Sequence, residues 1–171
     1  MDYKLLALTT PTLVQSENDG PNYNDRLSTG GPGLILAIQI KAQFTGAVTR
    51  IKIFTGEKRG RTRISLWEED QGKPHRELSA GEWDMEFANC WQGPDLSKPV
   101  RMKKGETYFI VWEPIAGAQQ TTDLPQENFG HNYFAKAPFL DPGWYGPLSS
   151  RELHYKYRLF GACEDNPNYQ S

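Results

Sequence analysis

Apolar and polar residues alternate along most of the middle of the chain with the period of two that a half-buried strand requires. From Leu34 to Phe44, Ile38, Ile40, Ala42 and Phe44 fall on one face, and Gln39, Lys41 and Gln43 on the other. Thr45-Gly46 has turn composition. Ala47 to Phe54 then resumes the alternation, with Ile51 and Ile53 set against Arg50 and Lys52, so the two runs predict a hairpin. Thr62 to Glu68 repeats the pattern, with Ile64 and Leu66 inward and Arg63, Ser65 and Trp67 on the opposite face. Further strands are predicted at Trp83 to Phe87, with Phe87 as a buried position, and at Pro99 to Met102, Thr107 to Trp112 and Leu153 to Phe160. Lys103-Lys104-Gly105-Glu106 reads as a turn. Trp112 shares its face with Tyr108 and Ile110, which predicts a core position.

No window shows the 3.6-residue period of an amphipathic helix. Short strands punctuated by Gly, Pro, Asn and Asp predict an all-β fold, an antiparallel two-sheet β-sandwich. Two segments break the strand rhythm: Ser16 to Gly33, rich in Asn, Asp and Gly, and the long stretch Ala116 to Arg151, with aromatics and prolines throughout. Long loops in small domains carry function or their own packing, so the second segment is where a site is expected. The organisation expected is an N-terminal strand and irregular segment over 1–33, a sandwich domain over 34–162 and a tail over 163–171. At 171 residues the chain has the size of one domain.

Charge and composition narrow the partners. Nineteen basic against 21 acidic residues give a net charge of −2, too small a field to hold nucleic acid or an anionic membrane surface. Mean hydropathy is −0.67, and no apolar run approaches the ~20 residues of a helical bilayer span, so no membrane insertion is expected. The stretch Leu5 to Leu8 falls short of the roughly 7–15 apolar residues of a secretory signal. Cys90 and Cys163 are far apart and belong to no CxxC, which leaves a single disulfide or two buried thiols, the thiols being our expectation.

Catalytic chemistry finds little support. The three histidines, His75, His131 and His154, accompany no G-x-S-x-G elbow, and His75 and His154 fall at solvated positions of a turn and a polar strand face. Glu68, Glu69 and Asp70 read as a solvated strand end rather than paired catalytic carboxylates. Asn18, Asp19, Asn22, Asn24 and Asp25 offer oxygen ligands for a structural calcium but match no EF-hand spacing, so no metal or cofactor is expected. Arg50, Lys52, Arg59, Arg61 and Arg63 form a local basic band, read as a solvated face or a contact for an acidic polysaccharide or partner protein.

Aromatics carry more information. Sugar rings stack their C–H faces on Trp and Tyr while their hydroxyls need flanking polar groups, and Ala116 to Arg151 mixes both kinds. Trp144 and Tyr145, framed by Asp-Pro-Gly and Gly-Pro, are the expected stacking pair, with hydrogen bonds from Asp141, His131, Asn132 and Arg151 and with Tyr133 alongside. The competing expectation is that Phe134, Phe139 and Trp144 plug the open side of the sandwich. Trp67, Trp83 and Trp91 are not assigned by spacing.

The runs LAIQIKAQFTGAVTRIKIFTG, ISLWEEDQGK, KPVRMKKGETYFIVWEP, NYFAKAPF and YKYRLFG, spanning Ile35 to Gly161, resemble a bacterial domain family of unknown function. That family is a carbohydrate-binding-module-like jelly roll of secreted and cell-surface proteins, often found beside polysaccharide-active enzymes. The resemblance implies a jelly-roll-type sandwich and a non-enzymatic binding module for a glycan or polysaccharide, outside the cell or on its surface, serving adhesion. Modules of this shape also occur on virions, which makes a head-spike, fibre or decoration subunit, contacting other subunits of the assembly, the alternative expectation.

Overall fold

The computed structural model describes residues 13–17, 22–29, 34–56, 60–116, 120–125, 131–136, 143–149 and 155–164. Thirteen strands occur among them and no helix, so none is long and apolar enough to cross a membrane. In chain order they are β1 (Leu13–Glu17), β2 (Asn22–Thr29), β3 (Leu34–Lys41), β4 (Gly46–Thr55), β5 (Arg61–Asp70), β6 (Lys73–Asp84), β7 (Cys90–Gln92), β8 (Asp95–Met102), β9 (Thr107–Ala116), β10 (Gln120–Pro125), β11 (His131–Lys136), β12 (Tyr145–Ser149) and β13 (Tyr157–Cys163). The fold is all-β, built on two antiparallel sheets. A six-stranded sheet runs β12-β11-β3-β9-β5-β6. A five-stranded sheet runs β1-β13-β4, with β7 and β8 both paired to β4, and a separate ribbon pairs β10 with β2.

One apolar cluster gathers side chains from both sheets. Leu36, Ile38 and Ile40 of β3, Ile64 and Leu66 of β5, and Tyr108, Ile110 and Trp112 of β9 meet Val48, Ile51 and Ile53 of β4, Val100 and Met102 of β8, and Leu159 of β13. Trp112 is fully buried as its alternation predicts; its indole N–H donates to Thr62 Oγ1 at 2.8 Å, and Tyr155 packs edge-on against it at 5.3 Å. The Tyr155 hydroxyl donates to the Ile110 carbonyl at 2.7 Å, with the Leu36 carbonyl 3.2 Å away, pinning the entry to β13 onto the opposite sheet. Complete burial pushes this phenol well above its ordinary pKa.

Three features depart from the sequence expectations. The first is the predicted hairpin of Leu34–Phe44 with Ala47–Phe54, which does not form: β3 pairs with β9 and β11, and β4 with β13, β7 and β8. Ala42 and Phe44 are core residues, so the connection dives through the core from one sheet to the other. Gly46 serves a close approach there: a Cβ would run into the carbonyl of Ala162 on β13. A tight hairpin forms instead at β5–β6, where Gln71 and Gly72 both take positive φ (52° and 78°), the two-residue turn that suits strand twist.

The second is β3, which is buried on both faces because it is central in its sheet. Ile35 and Ala37 join Phe109, Val111, Tyr133 and Ala135 in a second cluster on the outer face, and Gln39, expected on a solvent face, is buried. The third concerns the two segments that break the strand rhythm: Ser16 to Gly33 contains β2, and Ala116 to Arg151 contains β10, β11 and β12. Polar cross-strand pairs such as Thr121↔Ser28 and Asp123↔Arg26 carry too little apolar periodicity to be seen from sequence.

The far edges of the two sheets meet where β6 passes β8. Buried Ser79 donates to the Lys98 carbonyl at 2.8 Å, accepts from the Lys98 amide at 3.1 Å, and lies 3.2 Å from the Ser97 hydroxyl. Both cysteines are free and half-buried. Cys90 stands opposite Thr55 and Cys163 opposite Gly46, at the two ends of β4. Nine residues at ~3.3 Å per residue separate those ends, far beyond the ~7 Å reach of a disulfide.

Candidate functional site

The residues singled out in the sequence divide between two faces of the six-stranded sheet. Trp144 packs half-buried against the outer cluster, its ring edge-on to Trp67 (centroids 5.7 Å, planes 88° apart), and the Trp67 indole donates to Ser65 Oγ at 2.8 Å. Tyr145 is 52% exposed and stacks on Phe134 at 5.2 Å, and Phe134 packs against the core between the sheets. Consecutive residues at a strand start point to opposite faces, so Trp144 and Tyr145 do not make one platform.

Asn132 and Tyr133 serve the fold. Asn132 is fully buried and its Oδ1 accepts from the Gln39 amide at 3.2 Å; Gln39 in turn accepts the His131 amide on Oε1 at 2.9 Å and donates Nε2 to Glu69 at 2.8 Å. This reciprocal clamp binds β11 to β3 through side chains where the backbone ladder ends. Tyr133 is buried edge-on to Phe109 at 5.8 Å, and its phenol is held above its ordinary pKa by burial and then by Glu69. The His131 side chain is exposed. Asp141 and Arg151 lie outside the described residues, as do Phe139, His154, Arg59, Asn18 and Asp19. Asn22, Asn24 and Asp25 lie on or within β2, and among the described residues no three His, Cys, Asp or Glu side chains gather as a metal site would need.

The expected basic band is largely neutralised. Arg50 meets Asp95 at 2.6 Å, Arg61 meets Glu82 at 3.2 Å and Asp84 at 3.1 Å, and Arg63 forks onto Glu77 at 2.6 and 2.8 Å with Glu113 at 3.8 Å. Burial raises the Glu113 pKa against the opposing pull of Arg63. Glu68, of the acidic run, is taken by Arg76 at 3.0 Å and has His75 at 3.8 Å. Lys52 differs from these arginines: among the described residues no carboxylate lies within ion-pair distance, and its ammonium stands 5.4 Å from the Phe160 ring centroid.

Lys52 lines an open pocket of about 270 Å³ together with Trp83, Asp84, Glu86, Phe87, Trp91, Gln92 and Gly93. Local folding builds it. Beyond β6 the Met85 amide donates to the Gly60 carbonyl at 3.0 Å and its buried side chain anchors the turn, which thrusts Phe87 outward, 64% exposed. This corrects the expected burial of Phe87: the strand ends at Asp84, so the alternation no longer governs position 87. Asn89, at φ 52°, then turns the chain into β7, a conformation asparagine tolerates well.

Gln92, 9% exposed, ties the walls together. Its amide nitrogen donates to Thr55 Oγ1 and, at 2.7 Å, to the Phe87 carbonyl, while its oxygen accepts the Trp83 indole N–H at 3.4 Å. Trp91 is edge-on to Phe54 at 5.8 Å, and the Arg158 guanidinium lies 3.9 Å over its ring. The pocket therefore offers aromatic surface beside an ammonium, an amide and two carboxylates, with its geometry preset by the hydrogen bonds of buried Gln92. The sequence left Trp83 and Trp91 unassigned, put Phe87 in the core, and gave Lys52 only as one member of the basic band. The positive-φ-tolerant Asn89 after Phe87 is the one signal that marks the turn. No family model, curated protein or solved structure matches the chain.

Proposed function

We propose that this protein is a non-catalytic binding module, a sandwich of jelly-roll type, that recognises a glycan at a cell surface. The observation that carries the reading is the pocket at Trp83, Phe87 and Trp91, where aromatic surface and polar groups converge in one open concavity. Sugar recognition needs that combination: apolar ring faces bury C–H groups while hydroxyls find donors and acceptors at the rim. A shape fixed by Gln92 lowers the ordering cost of binding. The resemblance of Ile35 to Gly161 to carbohydrate-binding-module-like domains points the same way.

A broad glycan array with the unmodified chain and with Phe87→Ala tests the proposal. The expected result is a defined set of bound glycans lost in the variant, whose folding is little affected because Phe87 is largely exposed. No bound glycan, or an unchanged pattern in Phe87→Ala, overturns it. The second reading, a subunit of a virion or surface assembly, draws on the exposed Tyr145 of the edge strand β12. A stable oligomer in sedimentation that Tyr145→Ala converts to monomer favours it.

A further inference from the structure

The pocket is polarised. One wall belongs to β4, where Lys52 stands directly across the ladder from Arg158 of β13, two cations side by side, a pairing that costs stability unless countered. Arg158 lies over the Trp91 ring and has Glu17 of β1 at its own register position on the other side. Among the described residues Lys52 has no such neighbour at its other flank. There the ladder partners of β4 jump from Gln92, opposite Ile53, to Asp95, opposite Arg50, and Gly93 brings no side chain. Another part of the lining follows β6, and its two acids are unequal: Asp84 is engaged by Arg61 at 3.1 Å, whereas Glu86, exposed like Asp84, has no cation within ion-pair distance among the described residues.

Resting on the glycan reading, we infer that the pocket selects a saccharide unit bearing a carboxylate, a uronic acid of an acidic polysaccharide. Its carboxylate pairs with Lys52, its ring face lies on Trp91 and Phe87, and its hydroxyls donate to Glu86 and Asp84. A neutral sugar makes the last two contacts and gives the ammonium no counter-charge beside its approach to the Phe160 ring. Charges of opposite sign from different parts of the lining also fix the direction in which the ring enters.

Calorimetric titration with polygalacturonate, alginate and hyaluronan, each beside its carboxyl-reduced counterpart, tests the inference. At least one acid should bind about tenfold or more tightly than its reduced form, the size expected of one charge-assisted contact, and added salt should narrow the gap. Lys52→Gln should reduce the gap to under about threefold, and Lys52→Arg, which keeps the charge, should preserve most of it. Equal binding of acid and reduced forms, or a gap that survives Lys52→Gln, overturns the inference and leaves the glycan reading in place. If none of the six polymers binds and the glycan array is also blank, the glycan reading itself falls, and the inference with it.

Discussion

Gln92→Leu removes one amide of similar volume from a buried position and takes three hydrogen bonds with it. The Thr55 hydroxyl is 1% exposed and cannot recover its lost partner from water, a loss of ~1–3 kcal/mol. The Phe87 carbonyl and the half-buried Trp83 indole can reach solvent, so each of those bonds is worth only its net ~0.5–1.5 kcal/mol. Together the variant should lose about 2–6 kcal/mol, or roughly 4–24 °C at the ~2–4 °C per kcal/mol of a domain this size. Urea unfolding followed by far-ultraviolet circular dichroism reads the change, because tryptophan emission would also report the local movement of Trp83. Acrylamide quenching in native buffer should rise at the same time as the pocket wall loosens. A shift within about 0.5 kcal/mol, the range of ordinary surface substitutions, with unchanged quenching would refute the claim that Gln92 holds the pocket together.

Trp144→Ala should cost stability through the lost Trp67 contact, an aromatic pair being worth ~0.5–1.5 kcal/mol beyond buried area, while leaving saccharide affinity intact; a lost affinity would return the site to the outer face. Thiol titration of the unfolded chain under non-reducing conditions should find two reactive cysteines, and fewer would contradict the placement of Cys90 and Cys163 at opposite ends of β4. Because the Tyr155 phenol has its pKa raised in the folded state, the unfolded chain releases that proton first, so stability falls as pH climbs above the ordinary value of 10.0. Tyr155→Phe should be less stable at neutral pH by ~1 kcal/mol, from the loss of the bond to the Ile110 carbonyl, yet show a shallower alkaline decline in urea midpoints; parallel declines would sink the assignment.

The core-facing side of the central strands was legible in the sequence. Ile64 and Leu66 against Arg63 and Trp67 gave the sides of β5, and Tyr108, Ile110 and Trp112 gave the inner side of β9, whose other side, with Phe109 and Val111, is buried as well. Pairing was not legible, because alternation says which face of a strand is buried and nothing about which strand lies beside it; Thr45-Gly46 looked like a hairpin turn and is a crossing between sheets. Gln39 looked solvent-facing because a glutamine satisfied by Glu69 and the His131 amide is indistinguishable, in sequence, from a wet one. The aromatic content of the proposed binding surface was legible, its location less so. Trp144 and Tyr145 are adjacent in sequence and part at the sheet, whereas Lys52, Trp83, Phe87 and Trp91 come from three places in the chain and converge through the β4–β7 ladder and the turn after β6.

The indole N–H resonances of the five tryptophans give the most direct test of where the protein binds. Titration with the glycan selected on the array, with each resonance assigned by a Trp→Phe variant, should move the signals of Trp83 and Trp91 and leave those of Trp67, Trp112 and Trp144 in place. Shifts confined to Trp67 and Trp144 would contradict the pocket and put recognition on the outer face of the six-stranded sheet.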